Sequence, residues 1–548
     1  MFKKLCSVLA VVMMGFAVFA GCDLVTLDTN RYLNQVVATA GENVKITKED
    51  LRQGYASFGY QYVDSYGYSV EKAVRETLNI LINRALVLEY VKNTEDGNKV
   101  SLTIAQDNAA WQQVYDYLNG QIQALEKTIM TEKGMNSLVE GNEPTGELGV
   151  VYTPYQKTYT LEAGVLTKVA APEKTENFSI SPYITGVAPA DKYTSMFNEF
   201  KTKYWVHTND TIKADAMTRY LRNLKNGEKG RNFSTVDAEV FARELDRVYK
   251  VYKENKYLEV FQASHEKTIS VTNTQAIDWY ANTYAAQQTL YAADTASYNK
   301  AMQGEAGSIF YHPAGVDWFR VSHILLPYSE TQKTKLKSLE TDLGNYKITQ
   351  ADYDKEVAKI NASVVVTEYD SNGKSVGTKY ASTVLAELNQ ALTGKDYYTK
   401  CAIFKDFIYR YNTDPGVQNA EYNYYIPADS TYDTMVPTFA DASRELRDAG
   451  LLGAVSGLVE SEFGYHIIFY IGDIDLPDVS TANIYNLDAT RLSVFGNKTL
   501  LDKACESVTL ASYGDYETLL ITQLKGELQK NGQEIKIWDA YIKELWGK

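Results

Sequence analysis

Two stretches, Trp318-Phe-Arg-Val-Ser-His323-Ile-Leu-Leu326 and Ser461-Glu-Phe-Gly-Tyr-His466-Ile-Ile-Phe469, decide how the chain is read. Each is a short apolar run without helical spacing, in which one histidine sits among β-branched and aromatic neighbours. That pattern predicts a strand covered on both faces. The whole chain has only five histidines, so finding one in each run is informative. Met435-Val-Pro-Thr-Phe439, an apolar pair placed before a helix, lies between the two.

Outward from these stretches the chain is modular. Its 548 residues exceed what one core supports and predict three or four units. A hydrophobic content of 45% with 23% charged residues is that of a folded protein rather than a disordered one. The 43 tyrosines suit wet, peptide-gripping grooves, and equally a tyrosine-rich surface. The net charge of −14 excludes nucleic-acid binding by counterion release and adhesion to an anionic membrane through a basic patch.

Membrane attachment is expected from the first 22 residues instead. Lys3 and Lys4 precede an apolar run over 5–20, and Phe19-Ala-Gly-Cys22 puts small residues directly before a cysteine. This resembles a bacterial lipoprotein leader, which implies a signal peptide over 1–21, a lipid on Cys22, a tether over 22–35 and an extracytoplasmic location. The other reading is an uncleaved anchor, for which the apolar run is short. Of the remaining cysteines, Cys401 and Cys505 are open to a disulfide or to two buried thiols. No Cys-x-x-Cys pair supports a zinc or redox motif, and no metal or other cofactor is expected.

Residues 36–47 read as two brief strands about Gly41, and Thr47-Lys-Glu-Asp50 is a capping-box pattern opening a helix. Val70, Val74, Leu78, Leu81, Ile82, Ala85 and Leu86 then recur at three-and-four spacing, as do Trp111, Tyr115, Leu118, Ile122, Leu125 and Ile129. Residues 136–190 read as loops with short strands. Helical pattern returns over 192–265, breaks near Asn226–Gly230, and resumes after Val271-Thr-Asn-Thr274. The last stretch, 480–548, reads as helical throughout. Within 334–382, Asp370-Ser-Asn372-Gly373-Lys between two β-rich runs predicts a projecting hairpin beside the groove. His207, His265 and His312 lack ligand spacing and read as solvated or capping.

The two histidine strands, taken with Met435 and Phe439, resemble the opening and closing strands of a parvulin-type peptidyl-prolyl isomerase domain. The order of strand, glycine turn, Ile-Thr-Lys-Glu-Asp-Leu and helix near the start resembles the chaperone segment of PrsA-like and SurA-like foldases. This implies an α+β fold in which residues 36–315 form a helical chaperone-like region. The parvulin-like domain over 316–475 is inserted, and the helices of 476–548 pack back on the chaperone region. By the same resemblance, His323 and His466 form the histidine pair, Asp414 takes the cysteine-or-aspartate position, Met435 and Phe439 line the proline pocket, and Ser461 stands at the threonine-or-serine position. Phe463 and Tyr422 contact substrate.

The pattern departs from the family where a glycine-rich stretch is expected after the aspartate and Asn419-Ala-Glu421-Tyr422-Asn-Tyr-Tyr425 stands instead. The function implied is a lipid-anchored foldase that binds unfolded secreted chains and isomerises X-Pro bonds. The alternatives are an inactive parvulin-fold holdase and a ligand-binding or adhesive lipoprotein. A histidine or a Met–Phe pair in an apolar strand is also an ordinary core residue, so placement decides between these readings.

Overall fold

The protein is described from a computed structural model covering residues 33–93, 100–132, 159–162, 165–168, 211–227, 237–370, 375–414, 416, 423–492 and 498–543. The leader, Cys22, Tyr422, His207 and most of 136–190 lie outside the described residues. The fold is α+β: mostly helical, with small antiparallel sheets. The described residues fall into two compact units. One draws on Met1–Asn136, Pro172–Ile269 and Thr509–Lys548, the other on Ser137–Ala171 and Ser270–Val508. Residues 270–315 and 476–508 therefore group with the histidine strands, so the divisions fall at 270 and 508 and not at the expected 316 and 475.

In the first unit, β1 (Val36–Ala40) and β2 (Val44–Thr47) turn at Gly41, whose φ of +64° suits a residue without Cβ. The Thr47–Asp50 capping box forms as the spacing predicts. The expected tether ends before residue 35, because Leu33 is buried and Gln35 accepts a 2.6 Å bond from the buried Lys48 ammonium. Val74, Leu78, Ile82 and Leu86 of helix Val70–Asn93 pack on this sheet, and Trp111, Leu118, Ile122 and Ile129 of helix Ile104–Glu132 pack on Met217, Phe241 and Leu245. A strand at Ile535–Ile537 pairs antiparallel with β1, Ala38 opposite Ile537. That segment was expected to be helical. Its two isoleucines alternate, as strand residues do, and β1 supplies the ladder a lone segment lacks. Ile542 is fully buried against β1 and β2, so Ile542→Ala should cost about 2–4 kcal/mol in denaturant unfolding.

In the second unit, β3 (Tyr159–Glu162) and β4 (Val165–Lys168) form a hairpin that pairs with β5 (Val271–Thr272). The chain then enters β6 (Trp318–Pro327), β7 (Val365–Tyr369), β8 (Ser375–Tyr380), β9 (Tyr424–Pro427), β10 (Val459–Ser461) and β11 (Gly464–Asp473). Four of these make an antiparallel sheet in the order β10-β11-β6-β9, with both histidine strands central. One face carries Ile324, Leu326, Ile467 and Phe469 against Val384, Leu388, Phe404 and Ile408 of helices Ala381–Leu392 and Tyr397–Tyr411. The other carries Phe319, Val321, Ile468 and Tyr470 against Phe439 of helix Pro437–Asp448. Both faces are covered, which is why these strands read as unbroken apolar runs.

Two expectations are corrected in this unit. The 80 residues after β6 open with two helices, Glu330–Gly344 and Gln350–Ala362, each started by a capping box at Ser329 and Thr349. The β7–β8 hairpin follows them, but it does not project beside the histidines. Val366 is buried in the core of the opposite sheet face, and Glu368 pairs with Arg410 at 2.5 Å. Finally, His312 is not solvated: it is bonded to the Tyr298 hydroxyl at 2.6 Å, and burial pushes its pKa down to about 4. In the first unit, His265 stacks on Tyr516 at 3.6 Å. Cys401 and Cys505 are free, buried thiols in separate clusters, and burial pushes them up to about 11 and about 12.

Candidate functional site: a five-residue hydrogen-bonded chain on the sheet

The β6–β11 register sets the site. His323 lies opposite Ile468 and His466 opposite Leu325, so the two histidines are diagonal neighbours on one face. Their Nδ1 atoms approach to 3.0 Å, with the rings 5.0 Å apart. Each histidine is tied at its far end: His323 Nε2 lies 2.7 Å from Asp414 Oδ2, and His466 Nε2 lies 2.7 Å from Ser461 Oγ. The Tyr424 hydroxyl donates to the same Asp414 oxygen at 2.6 Å, and the Gly416 amide donates to the other oxygen at 2.9 Å. An unbroken chain results, Tyr424–Asp414–His323–His466–Ser461.

Local sequence explains each position. Helix Tyr397–Tyr411 ends at Asn412, which is buried and accepts from the Leu325 amide at 2.8 Å while donating to the Asp414 carbonyl at 3.1 Å. The Thr413 amide bonds the Leu325 carbonyl at 3.2 Å. The loop thereby continues the β6 ladder where β9 has stopped, and it delivers Asp414 beneath His323. On the other side Pro437 starts its helix at a position where no amide hydrogen is needed. Phe439 on the first turn then stands edge-on to both imidazoles, at 5.0 Å from His323 and 5.2 Å from His466.

The tight β10–β11 turn depends on Gly464. Its φ is +142°, and an added Cβ would lie 2.3 Å from the Leu326 carbonyl oxygen. Gly464→Ala must displace β6 backbone and should cost about 2 kcal/mol or more in denaturant unfolding.

The electrostatics follow from burial and pairing. Burial alone would raise the Asp414 carboxyl, but the hydrogen bonds from His323 and Tyr424 outweigh it and hold the group well below the usual carboxylate range. Burial, reinforced by the Asp414 charge, raises the Tyr424 hydroxyl, so it stays a donor. His466 is pushed down to about 3 by burial first and by His323 second, with Asp414 opposing.

These states fix the hydrogens. Ionised Asp414 only accepts, so His323 Nε2 carries a proton. One hydrogen then spans the two Nδ1 atoms. His466 Nδ1–H donates to His323 Nδ1, and the Ser461 hydroxyl donates to His466 Nε2, with the Gly464 carbonyl 3.3 Å from the same hydroxyl.

Of the residues expected at the site, His323, Asp414, Phe439, Ser461 and His466 come together. Met435 is half-buried at the rim of a cleft of about 660 Å³ that also touches Tyr424 and Gly416 and is walled by the 302–308 segment. Phe463 stands apart at the β10–β11 turn, 46% exposed; it contributes its amide, at 3.2 Å, to Ser461. Tyr422 lies outside the described residues. Asn412 and Tyr424 were missed, although Tyr424 sits in a quoted stretch. Their only signal is position: Asn412 follows the last helical residue, and Tyr424 opens an apolar tetrad that pairs with β6. Among the described residues, no group of three His, Cys, Asp or Glu side chains is placed to hold a metal. The chain matches no family model, and no curated protein is similar to it.

A linkage prediction follows. The folded pKa of His466 lies below its ordinary value of about 6.5, so between roughly pH 6.5 and 3 the unfolded chain binds a proton the folded one refuses. Stability should therefore fall as pH drops through that window, His466 contributing up to about 1.4 kcal/mol per pH unit. Asp414 adds further loss below about pH 4, as its stabilising charge is titrated. His466→Asn should flatten the slope between pH 6.5 and 4 in denaturant titrations, leaving the part owed to His312. An unchanged slope would contradict the assignment.

Proposed function

We propose that the protein is an extracytoplasmic, lipid-anchored foldase whose second unit is a parvulin-type isomerase of X-Pro bonds and whose first unit holds unfolded secreted chains. One observation carries the reading. On the two central strands of a four-stranded antiparallel sheet, His323 and His466 meet Nδ1 to Nδ1, are fixed by Asp414 and Ser461, and lie beneath Phe439 with Met435 at the rim.

The chemistry asks for nothing more reactive than this. Partial double-bond character sets a barrier of about 18–20 kcal/mol to rotation about the amide. No covalent bond must break, so a catalyst need only grip the proline ring in an apolar wall and favour the twisted amide over both planar forms. Met435 and Phe439 provide the wall, and the bonded histidine pair is a rigid floor that keeps Phe439 in place. A twisted amide loses conjugation, and an apolar wall lowers the cost of that loss relative to water. Cys22 would carry the lipid. Among the described residues no helix is long and apolar enough to cross a membrane.

A second reading, a holdase with a silent groove, is favoured by one feature: Phe439 is only 4% exposed. Proline-limited refolding of a reduced or denatured client separates the two. The wild type should accelerate the slow phase, Met435→Ala should lower kcat/KM at least about tenfold, and Met435→Ala with Phe439→Ala should abolish the gain. Suppression of client aggregation with no rate effect from the wild type would leave the holdase. Ser461→Ala, a small change, guards against misreading a folding defect of the double variant.

A further inference from the structure

The cleft beside the histidine chain carries a charge pattern that the isomerase reading does not use. Its volume of about 660 Å³ exceeds what a proline ring alone fills and lies within the range of ligand pockets. Its apolar lining includes Met435, Tyr424 and Met302. Its charged lining is Lys498, Lys503 and Glu305. Lys498 is already paired with Glu506 at 2.9 Å. Lys503, half-buried on helix Leu500–Lys530, has no ion-pair partner among the described residues.

Two lysines against one carboxylate give the cleft a net positive lining in a chain of net charge −14. The wall is also well fixed. Gln303 donates to the Tyr432 carbonyl at 2.9 Å, so the 302–308 segment is held against the loop that leads to Met435.

We propose that this cleft is a subsite for polypeptide flanking the proline, and that Lys503 selects an acidic side chain there. The proposal rests on Met435 marking the proline pocket. A chain gripped at Met435 has its neighbouring residues in the same cleft, and a carboxylate reaching Lys503 gains an ion pair in a partly enclosed site without displacing an existing one. A basic residue there would meet Lys503 and be disfavoured. Clients are thus read by local charge next to the proline as well as by the ring itself.

The test uses the full-length protein and labelled peptides with an Ala-Pro core, flanked on either side by Glu, Lys or Ala. All are amidated at the C-terminus so that no terminal carboxylate competes. Binding is read by fluorescence anisotropy and turnover by cis/trans exchange. The wild type should bind the Glu-flanked peptide about fivefold or more tighter than the Lys-flanked one, and 0.5 M salt should shrink the difference. Lys503→Glu should reverse the order while leaving the Ala-flanked peptide unchanged, and Lys503→Ala should level it.

Equal affinity of the wild type for the Glu and Lys peptides, or a preference that survives Lys503→Glu, overturns the inference. Turnover without charge preference sinks this subsite alone. Charge-selective binding without turnover sinks the isomerase reading and keeps the subsite. No binding of any peptide overturns both.

Discussion

The contact between His323 Nδ1 and His466 Nδ1 is the constraint on which the second unit turns. Two imidazoles meet edge to edge inside a protein only if one is kept neutral and both outer nitrogens are occupied. Asp414 and Ser461 supply those ends, and burial holds His466 neutral. Every neighbouring feature serves that geometry. The antiparallel register makes the histidines diagonal partners, Gly464 lets the β10–β11 turn press on β6, and the Asn412–Thr413 loop extends the β6 ladder to bring in Asp414. Phe439 caps the pair edge-on, and Tyr424 secures the carboxylate from the far side.

Rigidity of this kind fits a reaction without covalent chemistry. A catalyst for bond rotation gains by holding one shape, because any yielding of its walls accommodates the planar amide as well as the twisted one. The five-residue chain, with the Gly416 amide on Asp414 and the Phe463 amide on Ser461, leaves its side chains few other places to go.

The sequence made the strands and their two histidines legible because their signals are local: apolar runs and scarce histidines. Asp414 came with them through family resemblance. Tyr424 and Asn412 did not, because a tyrosine among 43 and an asparagine after a helix carry no mark of their partners, which lie ten and 87 residues away. The hairpin at 365–380 was readable from its Asn-Gly turn, but the side of the sheet it packs on was not, since Val366 and Glu368 find partners only in tertiary structure. The two capping boxes at Ser329 and Thr349 were there to be read and would have revealed the helices before it. At the C-terminus, Ile535 and Ile537 alternate too briefly to announce a strand; the pairing with β1, more than 490 residues earlier, decides it.

The account stands or falls on whether the wall above the histidine pair speeds rotation about an X-Pro bond. Exchange NMR on an amidated Ala-Pro peptide tests this directly, with methyl-labelled Met435 followed in the same sample. Substoichiometric protein should produce cis–trans exchange cross-peaks absent from the free peptide, together with shifts at the Met435 methyl that saturate with peptide. Cross-peaks no stronger than in the free peptide, with an unmoved Met435 methyl, would contradict it.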